Sequence, residues 1–389
     1  MHIISEPGCQ LFKMVALFPV GRVSESKRGL TQSVTAMMKK ATLARSSKKL
    51  HEYLDRYSIQ IEVYSTPTHI TAQLHCQAKF IDKSIPVFFE ILFQSKFLKN
   101  HWEIVRHQVI DNIKQQEKQT DFWADKLLSE HLFGWNHPYG YYSQPSDYLN
   151  IQIDQIQDFY ATHIQIQRPE FFLAGDDIPI AQKIINSEIK KYPLQKNQKK
   201  PRVRLVHTSP GIMEKKLEGS SQASVRLGKI FQRKSFKDFQ TLELMTVFLG
   251  GYYMSALMKL LRVEMGITYG VYAHLNHFFD VSVLHIGFET DMKNVPESLK
   301  AISELFERLS KEQRLKIGEA AKEYYSQWSK NSEKSLQEIM YKVRMFKLGY
   351  NYTEYCQWIN LLEGIPKSKS ISIDPTIFDI NTYSKSVVY

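Results

Sequence analysis

Between residues 28 and 42 the chain reads RGLTQSVTAMMKKAT, and Leu30, Val34, Met37, Met38 and Ala41 recur at helical spacing, forming one apolar stripe. Gln32, Thr35 and Ala36 fall on the opposite side, three and four residues apart, so they share a face. A different rhythm runs through residues 61–94, IEVYSTPTHITAQLHCQAKFIDKSIPVFFEILFQ, where alternating apolar positions predict a β-hairpin and then a helix. The same order returns at 269–307, YGVYAHLNHFFDVSVLHIGFETDMKNVPESLKAISELFE. Leu74-His75 recurs as Leu284-His285, and Ile85-Pro86 as Val295-Pro296. Both offsets are 210 (284 minus 74, 295 minus 85). Each copy predicts an amphipathic helix, a hairpin, and a further helix opened by proline. Two dipeptides matched at one offset, within one order of elements, indicate an internal duplication.

The duplication predicts an α+β fold of two homologous domains, each a mostly antiparallel sheet with helices packed on one face. A basic, proline-containing segment marks the boundary: a first domain over 1–192, a linker over 193–204 and a second domain over 205–389. A cleft between two such halves is a favoured place for a ligand.

Composition narrows the classes without naming one. At 389 residues the chain exceeds one ordinary domain, and 43% hydrophobic and 12% aromatic residues suffice for packed cores. The net charge of +11 raises the prior for anionic partners, but the 51 basic and 40 acidic residues are interspersed. The densest basic run, QKNQKKPRVR at 195–204, has no interleaved aromatics and reads as a solvated linker, so no nucleic-acid partner is expected. Cys9, Cys76 and Cys356 are far apart and form no CxxC pair. They indicate neither a thiolate zinc site nor a disulfide framework, and favour a reducing compartment. The N-terminal stretch MHIISEPGCQLFKMVALFPVG lacks a basic n-region and is interrupted by Lys13, unlike a signal peptide. No run of 18 apolar residues occurs, so no membrane span is expected. The expected compartment is cytoplasmic, or periplasmic if a leader has been removed.

Three collinear segments carry a resemblance. FLGGYYMSALMKLLRVEMGITYGVYAHL at 248–275, NHPYGYYSQPSDYLNIQIDQIQDFYATHIQIQRPEFFLAGD at 136–176 and FPVGRVSESKRGL at 18–30 resemble the pitrilysin-like zinc peptidases, the family of insulinase and mitochondrial processing peptidase. The resemblance implies that the two domains form half of a clamshell. It also implies an inverted motif, His-x-x-Glu-His, on the first long helix. There two histidines one turn apart face a Zn²⁺ ion, the glutamate activates its water, and a Glu from a later helix completes three protein ligands.

Aligning GLTQSVTAMMKKAT to that motif puts Gln32 at the first His, Thr35 at the Glu and Ala36 at the second His; the downstream Glu falls at Asn112, to within one residue. Neutral amides are weak zinc ligands, Ala36 has no donor, and Thr35 is no base near neutral pH. The resemblance thus implies that this chain holds no metal. Other histidines offer no replacement. His274 and His277 sit at a spacing that turns them to opposite faces of a strand, and His131 and His137 lack a third ligand nearby.

A second family element is kept. Family members place an Arg near a helix end and a Tyr seven positions later, reaching toward the substrate peptide; the matching residues are Arg262 and Tyr269 in RVEMGITYG. Arg supplies fixed donors for peptide carbonyls, and a Tyr hydroxyl can donate to an oxygen on which charge develops. Without the resemblance, the same residues read as an Arg at a helix C-terminus and a Tyr packing on a sheet. Gly250 and Gly251 read as close-packing positions or cleft-facing ones, and Gly266 as the end of the helix. Peptides in this family add as a strand to a sheet edge, whose counterpart here is the hairpin of 59–75, with Pro67 capping its turn. The final INTYSKSVVY falls where the last strand belongs, which leaves that strand short or missing.

Some family members work as unlike pairs, one chain bearing zinc and the other the Arg/Tyr pair. The expectation is therefore a non-zinc-binding subunit whose Arg262 and Tyr269 serve a zinc-bearing homologous partner in hydrolysing an unfolded peptide. Zinc would be the partner's cofactor, and no independent activity is expected. The alternative is a non-proteolytic peptide-binding or scaffold protein of the same fold. No Ser/His/Asp or Cys/His constellation with diagnostic spacing and no Walker-type loop points to another enzyme.

Overall fold

A computed structural model describes residues 1–195, 203, 209–233, 235–279, 281–312, 314–329, 334–372 and 375–389, so most of the expected linker at 193–204 lies outside the described residues. The chain divides into two compact units. The first comprises Met1–Lys114, Ser143–Arg204 and Glu333–Arg344; the second comprises Gln115–Tyr142, Leu205–Ser332 and Met345–Tyr389.

In the first unit, strands β1 (His2–Ser5), β2 (Leu11–Phe18), β3 (Gln60–Ser65), β4 (Ile70–Gln77) and β5 (Glu170–Gly175) form a sheet in the order β1-β5-β2-β4-β3. Pairing is antiparallel except between β1 and β5. Helices α1 (Leu30–Met38), α2 (Ser47–Arg56), α3 (Ile81–Phe93) and α4 (Lys99–Gln116) follow in the chain. Next, α5 (Thr120–Phe133) belongs to the second unit, and α6 (Pro145–Leu149), α7 (Ile153–Tyr160) and α8 (Ile178–Ile189) return to the first. The α1 stripe is the buried one: Leu30, Val34, Met37 and Met38 pack into a core with Met14, Ala16, Leu74, Ile85 and Phe88. The β3–β4 hairpin closes with the Thr66 N–H donating to the His69 carbonyl at 2.8 Å. β3 ends the sheet order, and its outward residues Gln60, Glu62 and Tyr64 are exposed.

Gly21 is tied to that hairpin turn. A Cβ there would stand 2.5 Å from the Thr66 carbonyl oxygen and 2.7 Å from that of Pro67, while the next two N–H groups, of Arg22 and Val23, donate to the same two carbonyls. Backbone cannot yield as a side-chain tip does. Gly21→Ala is expected to cost about 1–3 kcal/mol, checked as a lowered urea midpoint with an unchanged m-value.

The second unit repeats the plan. Its strands β6 (Ile212–Lys215), β7 (Ala223–Gln232), β8 (Val271–His277) and β9 (Val281–Thr290) join β12 (Ser384–Val388) in the order β6-β12-β7-β9-β8, and β10 (Arg314–Lys316) pairs with β11 (Ser370–Ser372) apart from it. Strand for strand this is the permutation of the first sheet, again with one parallel pair, β6 with β12. The duplication read from the 210-residue offset is thus visible as topology. The last strand, expected short or missing, is formed: β12 sits between β6 and β7, pairing Ser384–Val388 with Gly228–Ser224. Helices α9 (Phe236–Gly250), α10 (Ala256–Met258), α11 (Val295–Lys311), α12 (Gly318–Ser329), α13 (Lys334–Leu348) and α14 (Tyr352–Glu363) complete the chain.

Two details depart from the linear reading. Pro296 lies in the first turn of α11, as expected, but Pro86 is the sixth residue of α3, although a 3-10 turn precedes both helices. The compact units also exchange helices relative to a division at 192 and 205. Most of α13 belongs to the first unit, where Lys342 Nζ donates to the Ile3 carbonyl at 3.1 Å, and α5 belongs to the second. There α5 covers the face of the second sheet opposite α9: Leu128 and Leu132 lie over Gly228, and Ser386 Oγ donates to the Ala124 carbonyl at 2.7 Å. Among the described residues no helix is long and apolar enough to cross a membrane.

Candidate functional site

The helix that should hold a metal begins at Gly29, which is left-handed with φ 82° and lies under the Tyr148 ring. At its first turn the Thr31 N–H donates to Glu25 Oε1 at 2.7 Å and the Thr31 hydroxyl donates to the same oxygen, so a carboxylate satisfies one of the open donors of the helix start. Gln32, which the resemblance aligns to the first histidine, is exposed, and its Oε1 accepts the Tyr148 hydroxyl at 2.6 Å. Burial is the main cause that pushes the Tyr148 phenol up to about 12, so it remains a proton donor. Thr35 is only 3% exposed, and its hydroxyl donates to the Gln32 carbonyl at 3.1 Å. Ala36 packs half-buried against the core.

Asn112 lies exposed on α4, whose buried side is Trp102, Val105, Ile110 and Ile113; no hydrogen bond among the described residues joins it to the α1 trio. The donor set does not fit a zinc ion: one amide oxygen already holds a phenol, the hydroxyl is buried and engaged, and Ala36 has nothing to offer. Among the described residues no group of three or more His, Cys, Asp or Glu side chains could hold a metal ion.

Arg262 and Tyr269 lie in the second unit on one continuous helix-to-strand segment. α10 runs on into a π turn, Lys259–Glu264, where the Met265 N–H reaches back five residues to the Leu260 carbonyl at 3.1 Å. Gly266, with φ 65°, reverses the chain, as a helix-terminating glycine should. Beyond it the Thr268 hydroxyl spans to the Gly270 carbonyl at 3.0 Å and the Glu289 carbonyl at 2.6 Å, and the Thr290 hydroxyl donates to the Ile267 carbonyl at 2.6 Å. This anchored turn presents Tyr269 with 87% of its surface exposed. Arg262 is exposed, its guanidinium lying over the Tyr253 ring at 5.1 Å. Among the described residues neither side chain is spent on a hydrogen bond or an ion pair. Gly250 has a packing role: a Cβ there would stand 2.5 Å from the Ala273 nitrogen, so α9 ends directly on the backbone of β8.

The histidines fall out as structural groups. His274 and His277 do face opposite sides of the second sheet. His277 bonds Ser282 Oγ at 2.7 Å through Nδ1 and Glu243 Oε1 at 3.0 Å through Nε2, on the α9 side, and the Tyr324 hydroxyl donates to Glu243 Oε2 at 2.9 Å. Sequence reading missed this Ser–His–Glu chain because its members come from β9, β8 and α9. It resembles a catalytic triad in connectivity, but Ser282 has no exposed surface, so no substrate can reach it. His131 Nε2 meets the Ser209 carbonyl at 3.0 Å, and the His137 ring stacks on Phe133.

On the α5 side, His274 stacks near His285 at 4.6 Å, and His285 Nε2 meets Asp125 Oδ1 at 3.1 Å. Arg226, fully buried, bonds Asp125 at 2.9 Å and Glu289 at 2.8 Å. Burial works to raise the Asp125 carboxyl, but the His285 hydrogen bond and the Arg226 charge outweigh it and hold it low. Desolvation by the packed rings first, then the neighbouring His285, lowers His274 to about 4 although the residue is exposed at the surface. Unfolded histidine takes a proton near pH 6.5 that the folded one refuses until about 4, so stability falls as pH drops through that window. The Asp125 contribution is lost only below it, as the pH falls past the ordinary carboxylate range. His274→Phe, which keeps a ring in the stack, is expected to flatten the decline of Tm between pH 6.5 and 4.5 in a thermal scan series; an unchanged slope would refute the assignment.

Comparison with known proteins matches this geometry. The family model described as insulinase (peptidase family M16) matches residues 14–138, and the model described as peptidase M16 inactive domain matches residues 150–325. The non-peptidase homolog YmxG of Helicobacter pylori is 25% identical over 305 residues, covering 76% of this chain and 70% of that protein. An uncharacterized zinc protease YmxG of Bacillus subtilis is 21% identical over 286 residues, 73% of this chain and 69% of that one. In fold, a peptidase M16 inactive domain from Pseudomonas fluorescens superposes with a TM-score of 0.87 at 15% identity, covering 99% of this chain and 94% of that one. A protease from Helicobacter pylori superposes with a TM-score of 0.85 at 13% identity, covering 100% and 96%. With its duplicated sheets and a first helix stripped of metal donors, the chain belongs to peptidase family M16, as a homologue of proteins described as inactive or non-peptidase members.

Proposed function

We propose that this chain is the non-zinc-binding subunit of a two-chain M16 peptidase of the cytoplasm, acting with a zinc-bearing homologous partner on unfolded peptides. The supporting observation is an asymmetry: α1 offers no metal donors, whereas Arg262 and Tyr269 stand exposed with their donors unspent. The partner's zinc would supply the activated water. In this chain, Arg262 binds peptide carbonyls through its fixed N–H fork, and the Tyr269 hydroxyl donates to the carbonyl oxygen of the scissile bond as charge gathers there. The bonds around the turn between Gly266 and Gly270 fix the backbone from which that hydroxyl projects.

A pull-down from the native cell, with sequencing of whatever co-purifies, tests the pairing. A second chain carrying intact His-x-x-Glu-His supports it, as does peptide cleavage by the mixture and not by either chain alone. The non-peptidase description of the Helicobacter relative favours a second reading, a peptide-holding or scaffold protein with no part in proteolysis. Peptide binding by the purified chain, with no zinc-bearing companion and no cleavage in any mixture, would select that reading.

A further inference from the structure

We propose that Tyr253 is a positioning residue for Arg262, its ring setting the guanidinium in the orientation from which it grips a peptide main chain. The inference rests on the reading of Arg262 as a peptide-binding group and deepens it. Three observations carry it.

The Arg262 guanidinium lies over the Tyr253 ring at 5.1 Å. A ring beneath a guanidinium covers its flat face and leaves the N–H edge turned to solvent, the edge a peptide carbonyl needs. Tyr253 is itself 58% exposed, so burial in the core does not account for its place. Secondly, Arg262 sits within the π turn Lys259–Glu264, whose extra residue per turn re-aims the side chains it carries. Such turns are rare and concentrate at functional sites. Thirdly, the nearest acidic side chain in that turn, Glu264, is paired with Lys259 at 3.8 Å. Among the described residues Arg262 enters no ion pair, so its charge is held in place by an aromatic face and is not neutralised.

The test has two arms. On the isolated chain, the rate at which phenylglyoxal labels Arg262, followed by peptide mass spectrometry, is expected to rise in Tyr253→Ala and to stay at the parent value in Tyr253→Phe, which keeps the ring. In the complex with the zinc-bearing partner, cleavage of fluorescein-labelled β-casein is expected to show KM raised about three- to tenfold by Tyr253→Ala, with kcat unchanged. Tyr253→Phe restores KM, and Tyr253→Ala combined with Arg262→Ala is no worse than Arg262→Ala alone. A labelling rate indifferent to Tyr253→Ala overturns the inference. So does a parental KM for Tyr253→Ala beside a raised KM for Arg262→Ala, or a Phe variant as impaired as the Ala variant. A parental KM for Arg262→Ala overturns the peptide-binding reading itself and the inference with it.

Discussion

Tyr269→Phe is expected to lower kcat of the proposed two-chain peptidase about 10²- to 10³-fold while leaving KM within about twofold. Phenylalanine keeps the ring and removes one hydroxyl from a side chain that is already 87% exposed, so the fold should not notice. In the proposed role, what disappears is a donor to charge that exists only in the transition state. One such donor is worth about 2.7–4 kcal/mol of barrier in comparable sites. Arg262→Ala should behave in the opposite way, raising KM with kcat nearly held, because carbonyls of the bound peptide are present before and during reaction. Steady-state kinetics on the two variants separate these roles. A raised KM with unchanged kcat from both would mean that the pair acts only through binding.

The largest expected effect on stability comes from Glu243→Ala. Glu243 is buried, and its two oxygens serve His277 Nε2 at 3.0 Å and the Tyr324 hydroxyl at 2.9 Å, beneath the second sheet. Its removal takes an acceptor from each of two buried polar groups and leaves a cavity. Breaking one side of such a buried network costs about 3–5 kcal/mol, a large part of the roughly 5–15 kcal/mol that holds a typical domain together. Glu243→Gln, which retains one carbonyl oxygen and the volume, should cost clearly less. Urea unfolding followed by tryptophan fluorescence reports both; near-identical midpoints for Ala and parent would show that the network contributes nothing.

Much of the fold was legible because it is periodic. The α1 stripe of Leu30, Val34, Met37 and Met38 is buried to within 2% of full coverage, and the hairpin of 59–75 forms where alternation places it. The 210-residue offset foretold two sheets with one strand order. The helix exchange was not legible. Ala124, Leu128 and Leu132 give α5 a buried stripe, but a stripe does not say which sheet will cover it. β12, expected short or missing from the position of INTYSKSVVY, spans five residues; its Ser384 and Ser386 are both buried, and Ser386 is tolerated there by its bond to the Ala124 carbonyl.

The candidate positions were legible and their contacts were not. Gln32, Thr35 and Ala36, and Arg262 and Tyr269, could be singled out as candidates from local pattern with the family resemblance. Tyr148 could not, since 116 positions separate it from the Gln32 oxygen it holds. Nothing local links Glu243 to the His277–Ser282 pair of the β8–β9 hairpin either; only the packing of α9 on that hairpin brings them together.

The central claim is that α1 has no metal site, and zinc content tests it most directly. The purified, untagged chain is incubated with excess Zn²⁺, desalted, and measured by inductively coupled plasma mass spectrometry beside any co-purified chain that carries an intact His-x-x-Glu-His. Far less than one zinc per chain is expected here, and about one in a chain with that motif. A stoichiometric zinc ion retained by this chain alone would contradict the claim.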